Sequence, residues 1–358
     1  MNASAMVVVG VGATSSLARG ATPTAFLHRA AMAGMKPSPV SAPDGEPVTV
    51  CTVPTLDPKA RGVARAATLG RQALDEAMGS MALPPSMRAA LFYAVDDFVA
   101  ADEGAEAAYD LGASFGRASS LAPVAMEDVR RYEGGAAAIG PMLTAAREAL
   151  ERHAIDLALV GAAHSDVHPS RIRRLYEAGR LFGPDNIDGV VPGEGAAFIV
   201  LMRAAQAHSL GVPVLLLVDA VATHLETARP DNDHSAFEAL GMTAAVREVG
   251  ATLEAEGGRA GWMLTDAGTE RWRHYELSAV MTRTSRLWCA PQWADAPSQR
   301  LGALGVASGP MHLVLASVAY PCGFAPHDRG LSLTGSDTTG ARTAVLFRGA
   351  PSTLDHNR

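Results

Sequence analysis

Apolar residues follow two patterns along this chain. Short, nearly continuous apolar runs are typical of buried strands, and longer stretches with apolar positions every three or four residues are typical of helices. The runs predict strands at 6–14, 47–53, 91–94, 155–162 and 196–201, then at 214–221, 262–265, 331–333 and 343–347. The longer stretches predict helices at 23–33, 61–81, 101–115, 140–153 and 171–178, then at 236–255, 276–284 and 304–320.

The alternation of strands and helices occurs twice at similar spacing. This repetition predicts an α/β fold built from two similar halves, residues 1–205 and 206–348, followed by a tail at 349–358. No low-complexity linker separates the two series. We therefore expect the halves to pack together as one pseudo-symmetric body.

Composition narrows the class of protein. Hydrophobic residues make up 48% of the 358 positions and charged residues 19%, as in a well-buried globular chain. The net charge is −7 and no block of Lys or Arg occurs, which disfavours a nucleic-acid partner. No apolar run is long enough to span a membrane, and the three scattered cysteines suggest a reducing cytoplasm.

Two glycine-rich segments match known signatures only in part. Gly10-Val-Gly-Ala-Thr-Ser15 begins like a dinucleotide-binding fingerprint but has Ser15 where that fingerprint has its third glycine. It is interpreted as a tight strand-to-helix turn. Gly112-Ala-Ser114-Phe-Gly116 has the letters of a hydrolase nucleophile elbow, which needs a strand before the serine. The preceding residues look helical, so a helix end is favoured over a serine hydrolase.

Two polar segments follow predicted strands, where ligands collect in α/β sheets. His164, Asp166 and His168 follow the strand at 155–162, and their residue types suit acid–base chemistry or metal binding. No third metal ligand is evident, so no metal is predicted. Glu270 and His274 lie in a second segment after the strand at 262–265. A solvated loop with local Arg–Glu pairs is the alternative interpretation of that segment.

A family resemblance rests on five segments spread over nearly the whole chain. The most specific is Asp188-Gly-Val-Val-Pro-Gly-Glu-Gly-Ala-Ala-Phe-Ile-Val-Leu201, in which a Gly-Glu-Gly turn precedes a core strand. The others are 7–13, 149–161, 304–320 and 334–340. Together they resemble the β-ketoacyl synthases of the thiolase superfamily.

The resemblance implies a thiolase-like fold, a layered α-β-α-β-α sandwich of two βαβαβαββ halves, with a buried dimer interface. It also implies a Cys-His-His site where the halves meet. In that family an activated thiolate takes an acyl group from a carrier, and two histidines assist decarboxylation and stabilise the oxyanion.

The catalytic residues of that family are missing at the corresponding positions here. The nucleophile position falls on Tyr132 or Ala136, depending on the register. Ala267 stands at the first histidine position, and 301–303 holds Leu-Gly-Ala at the second. Loss of all three roles is hard to reconcile with condensation chemistry, because removing members of a catalytic triad costs orders of magnitude in rate.

The sequence thus predicts a non-catalytic β-ketoacyl synthase homologue that acts as a scaffold or partner subunit without a cofactor. It would form a homodimer or a heterodimer and could still recognise an acyl chain or an acyl carrier protein. A resemblance to short, inactive-looking relatives suggests an association with type VI secretion. The alternative is a thioester-processing acyltransferase with a relocated site at His164, Asp166, His168, Glu270 or His274. The remaining pocket at the junction is predicted to be lined by Gly135, Ala136, Ala137, Thr269, Gly305, Ser308 and Gly309.

Overall fold

The structure is a computed structural model that describes residues 5–350 except 80, 82, 100–102, 119–120, 122–123 and 229–237. Its strands are β1 (Met6–Ser15), β2 (Met35–Ser41), β3 (Pro47–Cys51), β4 (Arg88–Ala94), β5 (Ala125–Tyr132), β6 (Leu157–Ser165), β7 (Glu194–Arg203), β8 (Leu216–Leu225), β9 (Ala260–Thr265), β10 (Trp288–Asp295), β11 (Arg329–Gly335) and β12 (Ala341–Gly349). Its α-helices are α1 (Ala21–Arg29), α2 (Gly62–Gly79), α3 (Ala105–Gly116), α4 (Ile139–Glu151), α5 (Pro169–Glu177), α6 (Ala204–Leu210), α7 (Leu240–Ala255), α8 (Arg271–Arg283), α9 (Ser298–Leu301) and α10 (Ser308–Ala319).

Ten strands form two groups of five with the same topology. In the first group β7 lies antiparallel between β1 and β6, and β4 pairs in parallel with both β6 and β5. In the second group β12 lies antiparallel between β8 and β11, and β9 pairs in parallel with both β11 and β10. A short antiparallel contact between β1 and β8 joins the groups. The predicted α/β fold of two similar halves is confirmed.

Helices cover both faces of each five-stranded group. The central hydrophobic core lies between the halves and contains side chains of α1, α4 and α10, for example Ile139, Met142 and Leu313. A second core lies between the first group and α2 with α3, and a third lies between the second group and α7 with α8. This arrangement gives five layers in the order α-β-α-β-α.

The predicted division at residue 205 falls within α6, which connects β7 to β8. The exact boundary stays a prediction, and residues 351–358 of the predicted tail lie outside the described residues. Among the described residues, no helix is both long and apolar enough to cross a membrane.

The first glycine-rich segment differs from its prediction. Gly10 and Gly12 do not form a strand-to-helix turn, because β1 continues to Ser15. A Cβ atom at Gly12 would lie 1.9 Å from the carbonyl oxygen of Ala73 in α2. Glycine is needed there because α2 packs directly against the strand.

Ser114 lies within α3, so it does not occupy the strand-to-helix turn that a nucleophile elbow requires. Ser114 is also buried, with 7% of its surface exposed. The serine-hydrolase interpretation therefore lacks its structural context.

Candidate functional site

A cleft of about 350 Å³ lies where the two halves meet, and we call it the junction cleft. The first half contributes loops after β4 and β5 together with α5, and the second half contributes loops after β9, α9 and β11. Charged side chains dominate its walls, with carboxylates and guanidinium groups in similar numbers. Its charged lining residues are Asp96, Asp97, Arg171, Arg174, Arg180, Asp266, Glu270, Arg273 and Asp337.

Five of the seven residues predicted for the junction pocket line this cleft, namely Gly135, Ala136, Thr269, Gly305 and Ser308. The other two, Ala137 and Gly309, pack beneath the lining residues and do not line the cleft themselves. The carbonyl oxygen of Ala137 accepts a hydrogen bond of 2.8 Å from Thr343 Oγ1. A Cβ atom at Gly309 would lie 2.5 Å from Ile139 Cγ2, so this glycine lets α10 approach α4. Whether the five lining residues bind a ligand stays a prediction.

The positions that the resemblance predicts for the family's catalytic residues cluster at the same cleft. Ala136 and Ala303 line it, and Ala267 is 1% exposed directly before the lining residue Gly268. Tyr132, the other candidate for the nucleophile position, packs its ring against Phe92 at 6.4 Å. The geometry thus favours Ala136 as the residue at the nucleophile position.

His164 is held between two carboxylates at the end of β6. Its Nδ1 donates a hydrogen bond to Asp96 Oδ2, and its Nε2 lies 3.2 Å from Asp166 Oδ1 in an ionic contact. Arg171 donates a hydrogen bond of 2.8 Å from Nε to the same Asp166 oxygen. Gly305 covers this cluster, because a Cβ atom there would lie 2.5 Å from both His164 Nδ1 and Asp96 Oδ1.

This arrangement fixes the charge of His164. Burial by itself lowers the pKa of the imidazole, but the carboxylates of Asp96 and Asp166 raise the pKa of His164 to about 10. Burial also acts to raise the pKa of Asp166, yet the charges of His164 and Arg171 hold it below its ordinary value. An imidazolium that is protonated at neutral pH cannot accept a proton from a nucleophile. The geometry therefore favours a structural role for His164.

The elevated pKa of His164 predicts a falling stability at alkaline pH. Between the unfolded-state pKa of 6.5 and the folded-state pKa of about 10, the folded chain binds one more proton than the unfolded chain. The free energy of unfolding should thus fall by about 1.4 kcal/mol per pH unit from this group as pH rises from 7 to 8.5. Urea unfolding of the natural chain and of His164→Gln at both pH values measures it. Equal pH slopes for the two chains would refute the assignment, since a glutamine at this position does not titrate.

The other candidate acid–base residues have structural partners. His168 precedes α5 and accepts a hydrogen bond of 3.3 Å from the backbone N–H of Ser170, so it caps the helix. His274 Nε2 lies 2.9 Å from the carbonyl oxygen of Gly268. Glu270 accepts two hydrogen bonds of 2.7 Å from Arg180. The structure brings His164 and Asp166 together but leaves His168 and His274 in separate contacts.

Arg180 links the two halves across the junction cleft. It follows α5 in the first half, and its partners Glu270 and Asp337 belong to the second half. Its Nη2 donates a hydrogen bond of 2.7 Å to Asp337 Oδ2 besides its bonds to Glu270. Arg273 donates from Nη2 to Asp337 Oδ1 at 3.0 Å and lies 3.5 Å from Asp266 Oδ2. The cleft therefore contains a connected network of ion pairs.

Two contacts join a histidine to a nucleophilic side chain in the described part of the chain, and neither lies in the junction cleft. Ser332 Oγ and His312 Nδ1 are 2.8 Å apart, but both residues are almost fully buried, and burial lowers the pKa of His312 to about 3. Cys289 Sγ lies 3.2 Å from His327 Nε2 at the β10 edge of the sheet. Cys51 is fully buried, and burial raises the pKa of its thiol to about 12, which makes it unreactive.

Sequence reasoning missed Asp96, Arg180, Arg273 and Asp337 as parts of the site. Asp96 and Asp97 do carry a signal, because two acidic residues follow directly after the buried strand β4. Parallel strands β4 and β6 end at the same edge of the sheet, so Asp96 meets His164 there. Arg180 follows α5, Arg273 lies in α8 and Asp337 follows β11, so only the tertiary packing brings the three together.

The Gly193-Glu-Gly195 turn, the most specific segment of the resemblance, holds a buried ion pair. Glu194 is fully buried and accepts hydrogen bonds from Arg65 Nε and Nη2 at 2.7 and 2.5 Å. It also accepts from the backbone N–H of Val53 at 2.7 Å and from Ser165 Oγ at 2.9 Å. Glu194 thereby connects β7 to β6, to α2 and to the segment after β3.

Comparisons with known proteins agree with this architecture. Residues 138–207 match the family model described as Beta-ketoacyl synthase, N-terminal domain. The ishigamide ketosynthase/chain length factor is similar in structure, with a TM-score of 0.78 and 17% identity over 97% of this chain and 99% of that one. No curated protein matches the chain in sequence.

Two further solved structures are similar at comparable levels. The ketosynthase from module 6 of the bacillaene synthase of Bacillus subtilis 168 has a TM-score of 0.75 and 13% identity over 97% of this chain and 72% of that one. The second is a type II polyketide synthase ketosynthase, solved with its acyl carrier protein and bound to the hexaketide. It has a TM-score of 0.75 and 14% identity over 97% of this chain and 99% of that one.

The fold and the junction site together define the class of this protein, a mixed α/β protein of the thiolase-like fold. Within that class its fold is β-ketoacyl synthase-like, as the sequence predicted, and residues 138–207 match the N-terminal domain of the β-ketoacyl synthases.

Proposed function

We propose that this chain is a non-catalytic β-ketoacyl synthase homologue that acts as a partner subunit. The observation that supports the proposal is the content of the junction cleft. The positions predicted for the family's catalytic residues hold Ala136, Ala267 and Leu-Gly-Ala at 301–303, and Arg180 with its carboxylate partners lies within the cleft. Acyl transfer in that family uses a cysteine thiolate and two histidines, and the described lining of the cleft contains neither cysteine nor histidine.

The strand β5 supports self-association. It is an edge strand whose side chains are mostly exposed, and Val129 at its centre is 43% exposed. Glu127 and Asp128 precede Val129, and Arg130 and Arg131 follow it. If two copies pair antiparallel about Val129, then Asp128 faces Arg130 of the partner subunit and Glu127 faces Arg131 of the partner subunit. Every charged cross-strand pair is then attractive.

The other free edge of the sheet provides a contrast. β10 occupies the corresponding place in the second half, but it contains Pro291 and its register shifts between Trp288 and Trp293. Proline has no N–H to donate, and irregular edges resist pairing with another strand. β5 also has a register shift against β4, between Met126 and Asp128, but it contains no proline. It is thus the better surface for a second copy of this chain.

The assembly could instead join this chain to an active ketosynthase, and the similarity to the ketosynthase/chain length factor supports that version. An acyl carrier protein is a further candidate partner, since one of the similar ketosynthases was solved with its carrier. The cytoplasmic location and the association with type VI secretion stay predictions from the sequence.

Intact mass after incubation with octanoyl-coenzyme A and with octanoyl acyl carrier protein tests the non-catalytic role. We expect no acyl adduct and no thioester loss above the rate in buffer, because the described lining of the cleft has no cysteine and no histidine. An adduct or turnover would refute the proposal and favour a relocated site. Cys289, which lies beside His327, would be the first residue to map.

Ala136→Cys is the matched variant for this experiment. It places one thiol in the cleft wall, close to the first turn of α4, without altering the ion pairs. An adduct in this variant alone would show that the cleft admits the thioester and that the natural chain lacks only the nucleophile. Absence of an adduct in both chains would show that the cleft is closed as well, which is equally consistent with a non-catalytic subunit.

A further inference from the structure

A second cleft, of about 390 Å³, lies apart from the junction cleft, and we call it the α1 cleft. It is bounded by α1, the ends of β9 and β10, α9, α10 and the segment after α10. Its volume falls within the range of small-molecule sites in proteins, about 300–1,000 Å³. Neither the resemblance nor the proposed function assigns it a role.

The inner walls of the α1 cleft are apolar. Ala25, Trp262, Leu315 and Ala319 line it and are each less than 5% exposed. Three alanines, Ala25, Ala294 and Ala319, leave the space between the larger side chains unfilled. The outer rim of the cleft is also apolar, because Trp293 lines the cleft and is 60% exposed to solvent. A ligand with an apolar body would cover surface that now faces water.

The polar groups of the α1 cleft carry an excess of positive charge. Asp295 accepts a hydrogen bond of 3.0 Å from His28 Nε2 and lies 3.6 Å from Arg300 Nη1, so Arg300 balances its charge. Arg29 stacks over the ring of Phe324, with 4.7 Å from its Cζ to the ring centroid. Within the described residues Arg29 has no carboxylate partner, so one guanidinium group remains for an anion.

Arg300 also retains donors. Within the described part of the chain it donates one hydrogen bond, from Nη1 to the carbonyl oxygen of His28 at 3.0 Å, and it is partly exposed. Arg29 and Arg300 both line the cleft. Guanidinium groups recognise carboxylates through paired N–H donors.

We propose that the α1 cleft binds a small carboxylate with an apolar body, such as a medium-chain alkyl or aryl acid. The apolar body would lie against Trp262, Leu315 and Phe324, and the carboxylate would meet Arg29 and Arg300 at the edge. This inference does not depend on the junction cleft or on how the chain associates.

Titration calorimetry of the full chain with octanoate and with octanamide tests the proposal. We expect octanoate to bind and octanamide, which has the same body without the charge, to bind at least about tenfold more weakly. Equal affinity for the two would overturn the carboxylate assignment. Absence of octanoate binding at millimolar concentration would overturn the site as a whole.

Two variants locate the binding. Arg29→Glu should weaken octanoate binding at least about tenfold, because it replaces an attractive charge by a repulsive one. Ala294→Phe should block the cleft from an exposed position without disturbing the core. Arg286→Glu, which makes the same charge change at an exposed site outside the cleft lining, is the control and should keep natural affinity. Unchanged binding in Arg29→Glu and Ala294→Phe would show that octanoate binds elsewhere.

Discussion

A chain that carries Glu127→Arg with Asp128→Arg is expected to lose self-association. Antiparallel pairing about Val129 would then set arginine against arginine at four cross-strand positions. Each such pair contributes on the order of 0.2–1 kcal/mol, so losing four attractive pairs weakens the dimer by about 0.8–4 kcal/mol, roughly 4- to 900-fold, and the new repulsion weakens it further. The intrachain pair of Arg130 with Asp128 at 2.5 Å is half-exposed, and its loss costs the monomer little. Analytical ultracentrifugation of the natural and variant chains measures the change.

The reciprocal variant, Arg130→Glu with Arg131→Glu, makes the test specific to this pairing. It too should be monomeric, because acidic residues then face each other. Mixing the two variants should restore a dimer that contains one of each, since their charges are complementary again. If both variants remain dimeric, β5 is not the interface. If the natural chain is monomeric but each copy joins an active ketosynthase, the heterodimeric version of the proposal is the correct one.

Glu194→Gln is expected to destabilise the fold by about 3–5 kcal/mol, because it leaves the Arg65 guanidinium buried without its countercharge. The side chains of Arg65 and Glu194 are 4% and 0% exposed, so water cannot replace the lost partner. The change would also weaken the hydrogen bonds from Val53 and Ser165. Urea unfolding at pH 7, followed by circular dichroism, measures the free energy of unfolding.

Glu148→Gln is the matched control for this prediction. It makes the same chemical change in an ion pair with Arg152 whose side chains are 55% and 75% exposed. Exposed pairs contribute less than about 1 kcal/mol, and this pair joins positions four apart on α4. A similar small loss in Glu194→Gln would mean that Arg65 finds other partners, and the buried pair would not organise the turn.

Buried elements could be predicted from the sequence, and exposed edge strands could not. β6 and β7 are buried along almost their entire length, so their apolar runs appear directly in the sequence. β5 and β10 occupy corresponding places at the two free edges of the sheet and were both missed. Their side chains are mostly exposed, and a strand without a buried face has no alternating apolar pattern.

Some residues of the candidate site could be predicted from the sequence, and others only from the structure. The resemblance predicted Ala267 at the first histidine position, because that position is defined by its local segment. It left the nucleophile position open between Tyr132 and Ala136 and placed the second histidine position within 301–303. The roles of Arg180 and Asp337 could not be predicted, since their contact joins residues 157 positions apart. The sequence also left His164 open as an acid–base residue. Its two carboxylate partners belong to the ends of β4 and β6, and only their side-by-side packing reveals the raised pKa.

The sequence by itself determined the fold of this protein, because apolar periodicity and local motifs act over a few residues at a time. That the family's catalytic residues are missing stays a prediction from the same motifs. The tertiary structure alone decided which side chains line the junction of the halves. Charges distant along the chain meet at the junction cleft and form ion pairs there. The tertiary structure also revealed the α1 cleft, since a cavity is the space left between elements and no sequence motif encodes it.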